Sequence, residues 1–248
     1  MNGPASASDT ARRQPDPSAL PALAVLAVVP ALNEEAAIAA CLAPLLAEGA
    51  RVVVVDGGSA DATPRIAAGA GARVLRAARG RASQMNAGAA AESGAGVLLF
   101  VHADTVLPAG WRAQVQGALA AGARWGRFDV RLRSRRPLLR LVGEMMNLRS
   151  RATGICTGDQ AIFVSSEAWT RCAGYAPLPL MEDIELSRRL RAAEGMPAAL
   201  RSRVLVSARR WETRGVLRTV AQMWLLRAMY FFGASPATLH RLYYGRPG

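Results

Sequence analysis

The sequence predicts an α/β fold in which a mostly parallel central sheet is flanked by helices. Four short apolar runs recur at similar intervals between Ala22 and Val101, and alanine-rich segments of helical length separate them. Continuous Val- and Leu-rich runs separated by helices are typical of parallel strands that crossover helices bury on both faces. A chain of 248 residues is long enough for one such domain and a small appendage.

The predicted strands and helices alternate along this part of the chain. The strand candidates are Ala22–Val29, Val52–Val55, Ala72–Leu75 and Val97–Val101. The helical segments between them are Glu34–Ala47, Pro64–Ala70 and Arg81–Ser93. Thr63 followed by Pro64 matches the N-cap and the first position of a helix, which supports the start of the second helix. The resulting order is a Rossmann-like β-α-β-α-β-α-β.

The pattern is less regular after Pro108. An arginine-dense segment runs from Arg124 to Arg151, and we interpret its Arg131–Arg136 cluster as a solvated face. The other predicted elements are a helix at Trp111–Ala121, a strand at Ala161–Val164, a helix that begins at Glu182 and ends at Gly195, and a strand at Val204–Ser207. Residues 1–20 are rich in Pro, Ser and Ala, which predicts a disordered leader and not a secretion signal.

The composition excludes several kinds of site. The net charge is +13 and every basic residue is arginine, which favours anionic partners such as phosphates, nucleotides, nucleic acid or an acidic membrane. A P-loop is excluded because the chain has no lysine. Three scattered cysteines without a CxxC pair disfavour disulfides and thiolate zinc sites, and they fit a reducing compartment. Two histidines leave few candidates for a Ser/His or Cys/His nucleophile pair.

Charged residues follow the predicted strands of the first half. "PALNEE" follows the first strand, "DGGSADAT" the second, Arg79 and Arg81 the third, and His102-Ala103-Asp104 the fourth. In an α/β sheet, ligands bind at the carboxyl ends of the strands, near the point where the strand order reverses. Acids that converge there beside arginines suit a nucleoside diphosphate held through a divalent ion. The first turn lacks GxGxxG, which disfavours a dinucleotide cofactor.

Two of these acids also have simpler interpretations. Asp56 can accept hydrogen bonds from a base or ribose while Gly57 lets the backbone turn tightly past the ligand, but an aspartate at this place also closes turns. Asp104 either holds the metal ion that neutralises the diphosphate or closes a turn before Pro108. Both alternatives stay open on these residues alone.

The strand-end motifs, taken in order, resemble those of a known family. The segments "VVPALNEEAAI", "VVVVDGGSADAT", "GRASQMNAGA", "LLFVHADT", "PLMEDIELSRRLR" and "RRW" look like the ordered motifs of family 2 glycosyltransferases of the GT-A fold. The spacing of "RGRASQMNAGA", "FVHADT", "TGDQAIFV" and "PLMEDIELSRRLR" is similar to a bacterial subgroup labelled arsenosugar-biosynthesis-type glycosyltransferases. The resemblance implies inverting transfer of a sugar from a UDP- or GDP-linked donor to a hydroxyl acceptor, with Mg²⁺ or Mn²⁺. The resemblance covers the chain from Leu23 to Tyr244. We expect three regions: the leader at residues 1–20, a GT-A domain at 21–215 and a C-terminal amphipathic helical extension at 216–248.

The resemblance also implies roles for particular residues. It assigns the donor to residues that follow the first four strands, namely Pro30, Ala31, Asn33, Glu34, Asp56, Gly57, Arg81, Asn86, His102, Ala103 and Asp104. Asp104 matches the last member of the Asp-x-Asp metal motif. Asp183 matches the general base, and Glu182 either supports it or caps the helix. Four further residues are candidates for the acceptor or the diphosphate, with turn closure or plain packing as the alternative: Asp159, Gln160, Arg210 and Trp211.

Two positions depart from the family pattern. His102 stands where the family has the first carboxylate of Asp-x-Asp, so one ribose or metal contact is altered. Ser207 precedes "ARRW" where processive members carry a glutamine. The second departure favours a single transfer over polymer synthesis.

The C-terminal run from Thr219 to Gly233 is strongly apolar but is interrupted by Gln222 and Arg227, and it is too short to span a bilayer. It predicts a packed amphipathic helix or, alternatively, a helix in the membrane interface, because Trp224 and neighbouring aromatic residues lie beside arginines. The expected location is cytoplasmic, with peripheral contact at the inner face of the membrane as the alternative. Two other functions stay open: a nucleotidyltransferase that makes a nucleotide-sugar, and a non-catalytic basic protein that binds anionic membrane or nucleic acid. The leading interpretation expects no nucleic acid.

Overall fold

The computed structural model describes residues 23–245, so the predicted leader lies outside the described residues. Its eight strands are β1 (Val25–Ala31), β2 (Arg51–Asp56), β3 (Arg73–Arg76), β4 (Val97–Phe100), β5 (Thr105–Val106), β6 (Trp125–Arg133), β7 (Ile162–Ser165) and β8 (Ala198–Ser207). Its helices are α1 (Ile38–Ala47), α2 (Thr63–Gly69), α3 (Arg81–Ala90), α4 (Trp111–Ala120), α5 (Pro137–Thr153), α6 (Ser166–Cys172), α7 (Glu182–Glu194), α8 (Arg209–Arg214), α9 (Val216–Phe231) and α10 (Pro236–Tyr244). A 3₁₀ turn covers Gly158–Gln160.

The strands form one mixed, mostly parallel sheet in the order β3-β2-β1-β4-β7-β6-β8-β5. β1 pairs in parallel with β2 on one side and with β4 on the other, and β6 pairs in parallel with β8. β7 is antiparallel to both of its neighbours, and β5 is antiparallel to β8. The predicted α/β class with a mostly parallel sheet flanked by helices, and with a helical C-terminal region, is confirmed.

The two faces of the sheet bury separate apolar clusters, as the period of a strand requires. In β1, Val25, Ala27 and Val29 point into one cluster with α1, whereas Leu26 and Val28 point into the other with α3. All seven residues of β1 are buried. Burial on both faces explains why this strand appears in the sequence as an unbroken apolar run.

The sequence pattern missed β6, which lies inside the arginine-dense segment. Arg127 and Asp129 point inward from this strand and form an ion pair with each other. Both residues are buried. The side-chain amide of Asn147, on α5, bonds the backbone of Val130 in β6. Its Oδ1 accepts from the N–H of Val130 at 2.8 Å, and its Nδ2 donates to the C=O of Val130 at 3.1 Å. A charged residue is buried here because an opposite charge meets it, and alternation alone does not reveal such a pair.

Two helix starts differ from the prediction. α1 begins at Ile38 and not at Glu34, because the backbone after Asn33 forms a turn first. α2 begins at Thr63, so Thr63 is not its N-cap. The Thr63 hydroxyl instead accepts a hydrogen bond from the backbone N–H of Glu34 at 2.8 Å, while Asp61 accepts from the backbone N–H of Thr63 at 3.0 Å. The hydroxyl therefore joins the loops that follow β1 and β2.

The C-terminal helices pack only in part. Leu226 of α9 and Leu239 of α10 are buried in a small cluster with Ile155, Leu180 and Ile184. The opposite side of α9 leaves several large apolar side chains exposed: Leu217, Trp224, Leu225 and Phe231. Among the described residues, no helix is long and apolar enough to cross a membrane.

Helix α3 packs so closely on the sheet that one position excludes a side chain. A Cβ atom at Gly88 would lie 2.4 Å from Val28 Cγ1 and 2.9 Å from Val55 Cγ2. We therefore expect Gly88→Ala to lower the free energy of unfolding by about 1–3 kcal/mol, although alanine favours helices. Gly117, in the exposed part of α4, meets no atom within 4 Å of such a Cβ. Gly117→Ala should raise the free energy of unfolding by about 0.5–1 kcal/mol. Urea denaturation of both variants tests the packing, and equal effects would contradict it.

Candidate functional site

A cavity of about 1090 Å³ opens at the carboxyl ends of β1 and β4. The strand order reverses here, because the chain runs outward from β1 through β2 to β3 and then returns to the other side of β1 as β4. The cavity wall contains these predicted residues: Pro30, Ala31, Glu34, Arg81, His102, Ala103, Asp104, Asp159, Glu182, Arg210 and Trp211. The structure thus brings together residues from "PALNEE", "FVHADT", "TGDQ" and "MEDIE" in one place.

The side chain of Gln84 holds the edge of the sheet below this cavity. Its Nε2 donates to the carbonyl oxygens of Ala31 at 3.0 Å and Val55 at 2.7 Å, which are near the ends of β1 and β2. The side chain is 4% exposed and also lines the cavity. Gln84 lies in the motif "GRASQMNAGA", but the sequence analysis did not predict a role for it. The sequence offers only a polar residue in an alanine-rich segment, and its burial is evident from the fold alone.

Glu34 and Asp104 both line the cavity and are close enough for their charges to interact. Asp104 lies in a tight turn after β4, in which the N–H of Thr105 donates to the carbonyl oxygen of His102 at 3.0 Å. Burial and then the charge of Asp104 raise the pKa of Glu34, although Arg209 opposes them from 3.4 Å. A carboxylate whose pKa a neighbouring carboxylate raises marks a place where a cation is favoured.

His102 occupies the position of the missing carboxylate and binds another one. Its Nδ1 lies 3.2 Å from Oδ1 of Asp159, which is in the 3₁₀ turn before β7. Burial opposes ionisation of Asp159, but the hydrogen bond from His102 and the charges of His102, Arg81 and Arg210 lower the pKa of Asp159 to about 2. Asp159 thus belongs to the turn before β7, bonds His102 and lines the cavity, so both predicted roles remain open.

The same turn reaches the acids of α7. A Cβ at Gly158 would lie 2.3 Å from His102 Nε2, so only glycine lets the imidazole pack there. The backbone N–H of Gly158 donates to Oδ2 of Asp183 at 2.9 Å, and the N–H of Ile184 donates to Oδ1 of Asp183 at 2.7 Å. Both oxygens of Asp183 are thus oriented by backbone donors. Gly158 connects the two side chains, since it packs against His102 and donates its N–H to Asp183.

Glu182 and Asp183 differ in their surroundings. Glu182 is 4% exposed and belongs to the cavity wall, whereas Asp183 is half-buried beside it. Burial and the neighbouring charge of Asp183 raise the pKa of Glu182, and Arg81 opposes them. Burial alone would lower the pKa of Arg81, but Glu182, Asp159 and Asp183 raise it. A carboxyl group with a raised pKa in a cleft is typical of functional sites.

Six predicted residues line no part of the cavity: Asp183, whose contacts are given above, and Asn33, Asp56, Gly57, Asn86 and Gln160. Asn33 joins two loops, because its N–H donates to Ser59 Oγ at 2.9 Å and its Oδ1 accepts from the N–H of Ala60 at 2.8 Å. Asp56 accepts from the N–H groups of Gly58 at 3.1 Å and Ser59 at 3.0 Å, as a turn-closing aspartate does. Gly57, between them, donates its N–H to the carbonyl oxygen of Ala31 at 2.9 Å.

The remaining two have structural partners. Asn86 pairs with both backbone groups of Tyr175, at 2.8 and 2.9 Å. Gln160 is fully buried, where it accepts from the N–H of Thr157 at 3.2 Å and donates to Ser150 Oγ at 3.0 Å. These contacts hold the loops around the cavity, and none of them involves its open space.

The C-terminal part of the chain closes one side of the cavity. Arg210 of α8 bonds the hydroxyl of Tyr243 and lies 5.1 Å from the centre of its ring. His240 and Tyr244 of α10 line the cavity together with Trp211, which is buried. Sequence reasoning missed the α10 residues, because no local motif indicates that a C-terminal helix returns to the sheet edge.

The residues present suit a metal ion that a substrate helps to bind. Within residues 23–245, no group of three or more His, Cys, Asp or Glu side chains is arranged to hold a metal ion by itself. Asp104 and Glu34 nevertheless offer hard carboxylate oxygens at the cavity mouth. Mg²⁺ and similar ions are commonly held by one or two carboxylates together with substrate phosphates and water. The site therefore fits an ion bridged to a diphosphate and does not form an all-protein cage.

A family model described as "Glycosyl transferase family 2" matches residues 26–169, more than half of the chain. The chain belongs to glycosyl transferase family 2. The predicted family is thereby confirmed, whereas the match does not reach the level of a subgroup. No curated protein matches this family 2 chain.

Solved structures share the fold of this family 2 protein. Residues 1–349 of TarS from S. aureus align with a TM-score of 0.62 and 16% identity, over 75% of this chain and 61% of that one. Glucosyl-3-phosphoglycerate synthase from Mycobacterium tuberculosis, in complex with Mg²⁺ and UDP, aligns with a TM-score of 0.54 and 20% identity, over 74% of this chain and 70% of that one. The same enzyme with Mn²⁺, UDP-glucose and phosphoglyceric acid gives 0.54 and 19%, over 74% and 70%. The chain thus spans less than two thirds of the TarS chain it matches.

The raised pKa of Glu182 makes stability depend on pH. Above its ordinary value of 4.5, the folded state keeps a proton on Glu182 that the unfolded state has lost, so stability falls as the pH rises through this window. Glu182→Gln removes that dependence and should gain stability relative to the parent as the pH rises above 4.5. Denaturation midpoints of the two proteins at a series of pH values test the effect. A constant difference between them would show that Glu182 is not perturbed.

Proposed function

We propose that this protein is an inverting, metal-assisted and non-processive glycosyltransferase that moves a sugar from a UDP- or GDP-linked donor to a hydroxyl acceptor. The observation that carries the proposal is the cavity at the reversal of strand order, where Glu34 and Asp104 meet several arginines on a family 2 chain. Structural neighbours in complex with UDP, UDP-glucose, Mg²⁺ or Mn²⁺ support this choice of ligands. The arsenosugar-biosynthesis-type subgroup remains part of the proposal on the spacing of the motifs alone.

The donor's diphosphate is proposed to lie between Asp104 and the arginines of the cavity wall. Arg79, Arg81 and Arg210 face the same space and supply positive charge for phosphate oxygens. Pro30, Ala31 and Glu34 would border the nucleoside, with Asn33, Asp56, Gly57 and Asn86 supporting the loops around it. A divalent ion held by Asp104 would stabilise the charge that grows on the leaving diphosphate.

The acceptor hydroxyl is proposed to lose its proton to Asp183. In a single displacement, the acceptor oxygen forms a bond to the anomeric carbon as the bond to the diphosphate oxygen breaks, and a carboxylate on the acceptor side takes the proton. The two backbone N–H donors that orient Asp183 support this role. Glu182, with its raised pKa and its place in the cavity wall, is the alternative base. His102 and Asp159 would position the turn that holds Asp183.

A cytoplasmic location is proposed from the state of the cysteines. Cys41, Cys156 and Cys172 are free and buried, as small apolar residues are in proteins of reducing compartments. Burial raises the pKa of Cys41 and of Cys156 to about 12, so neither thiol is a ready nucleophile.

Peripheral membrane contact through α9 is proposed from its exposed aromatic residues. Trp224 and Phe231 are 62% and 64% exposed on a chain of strongly positive charge. We expect co-sedimentation with anionic liposomes and not with neutral ones, and a loss of binding when both residues become alanine. Leu141→Ala on exposed α5 is the control. Equal recovery in the supernatant for both lipid types would exclude this contact.

Asp104 tests the metal part of the proposal. Asp104→Asn keeps the shape and removes the charge, so the transition state should lose several kcal/mol of stabilisation. We expect Mn²⁺-dependent UDP binding to disappear while the circular dichroism spectrum is unchanged. Glu167→Gln, which removes an exposed acid, should behave as the parent. Full metal-stimulated turnover by Asp104→Asn would contradict the assignment.

The two acids of α7 test the base. Asp183→Asn should lower turnover by about 10²–10⁴-fold with donor affinity nearly intact, because a positioned base contributes about that factor. Glu182→Gln should reduce turnover less. The measurement is turnover of both variants at saturating donor. An inactive Glu182→Gln beside an active Asp183→Asn would reverse the assignment, and full activity in both would exclude this pair.

A further inference from the structure

Arg149, near the end of α5, carries hydrogen-bond donors that nothing in the described chain satisfies. Its Nε and Nη2 are buried and have no partner among residues 23–245. Burial and then the charge of Arg227 lower the pKa of Arg149 to about 10, although Asp183 opposes them. An unpaired guanidinium in such surroundings destabilises the fold unless a ligand uses it.

The acid near Arg149 already has other partners. The charge of Asp183 acts on Arg149, but both oxygens of Asp183 accept backbone hydrogen bonds, as described above. Arg149 is therefore near one carboxylate, and its Nε and Nη2 form no hydrogen bond to it.

Arg227 of α9 lies near enough to Arg149 for its charge to act on that residue. Burial lowers the pKa of Arg227, and Asp183 and Asp159 raise it. Among the described residues it forms no ion pair within 4 Å, in contrast to Arg151, Arg189 and Arg203. Two half-buried arginines that repel each other, and that form no ion pair within 4 Å with Asp183 although its charge acts on both, make a site of positive potential next to that carboxylate.

We propose that Arg149 and Arg227 bind an oxyanion, a phosphoryl or carboxylate group, carried by the acceptor substrate. The inference rests on the proposed sugar transfer, because it assigns this pair to the molecule whose hydroxyl faces Asp183. The two arginines do not belong to the wall of the donor cavity, so the donor's diphosphate leaves them free. A planar guanidinium with unused Nε and Nη donors matches two oxygens of such a group. The acceptor is thus an anionic hydroxy compound and not a neutral sugar.

The position of the pair suits this task. Arg149, Arg227 and Asp183 are all half-buried, which leaves a path from solvent, whereas Glu182 on the donor side is buried. An anion held by both guanidiniums would fix the acceptor a short distance from the carboxylate that takes its proton. Such fixation converts part of the binding energy into orientation of the attacking hydroxyl.

The test measures binding of inorganic phosphate to the full chain with UDP and Mg²⁺ at saturation, so that the donor cavity is filled. Thermal unfolding at constant ionic strength gives the affinity from the rise of Tm with phosphate. We expect Arg149→Gln and Arg227→Gln to weaken phosphate binding at least tenfold. The matched controls are Arg140→Gln on α5 and Arg218→Gln on α9, which remove the same charge from exposed positions of the same helices and should bind phosphate as the parent does.

Further arms separate the outcomes. Arg149→Lys keeps the charge but loses the planar pair of guanidinium donors, so its phosphate affinity should lie between those of the parent and Arg149→Gln. It serves as the test variant if Arg149→Gln does not fold. Acetate in place of phosphate shows whether the site prefers a carboxylate or a phosphoryl group. Equal phosphate affinity in Arg149→Gln and Arg140→Gln would overturn the proposal. If the parent binds neither UDP nor GDP, the sugar transfer is contradicted instead, while the comparison of variants in phosphate alone still decides the arginine site.

Discussion

The parallel pairing of β1 with strands on both of its sides is the constraint on which the rest of the structure depends. Because β2 and β4 run alongside β1 in the same direction, the loops after β1 and β4 diverge at one edge and leave a crevice between them. Glu34 comes from the first loop and Asp104 from the second. The two acids are therefore close in space although they are far apart in the sequence. Gln84 then fixes the spacing of the β1 and β2 ends through two carbonyl oxygens. The polar edge is supported by β1 and β4, which are buried along their whole length.

One short turn connects the two sides of the proposed reaction. His102 packs on Gly158 and bonds Asp159, and the next contact of that turn is the hydrogen bond from Gly158 to Asp183. A histidine in the place of a carboxylate thus exchanges one potential metal ligand for a link between the donor side and the acceptor side. The same region concentrates charge of both signs, since Arg81, Arg149, Arg210 and Arg227 surround Glu182, Asp183 and Asp159. Each of these charges is worth more where burial weakens the screening by water.

The sequence was sufficient wherever a residue's role follows from its local pattern. The first four strands, the start of α7 and the place of Asp104 after β4 could be predicted, because apolar runs and strand-end acids report on a parallel sheet directly. β6 could not be predicted, since Arg127 and Asp129 are inside only because they neutralise each other. The cavity contributions of His240 and Tyr244 also depend on long-range packing that no local period encodes. Asp56, Asn86 and Gln160 lie in recognisable motifs, but their side chains bond the backbone around the cavity, a distinction that only the fold reveals.

The central claim is that the edge between β1 and β4 binds a nucleotide-sugar through Asp104 and a divalent ion. The measurement that tests it most directly is release of free sugar from a panel of UDP- and GDP-sugars, with and without Mn²⁺. The account predicts that one donor class is hydrolysed slowly, that Mn²⁺ stimulates the reaction, and that excess of the matching nucleoside diphosphate suppresses it. A protein that is folded by circular dichroism, consumes no donor and binds no nucleoside diphosphate would contradict the claim.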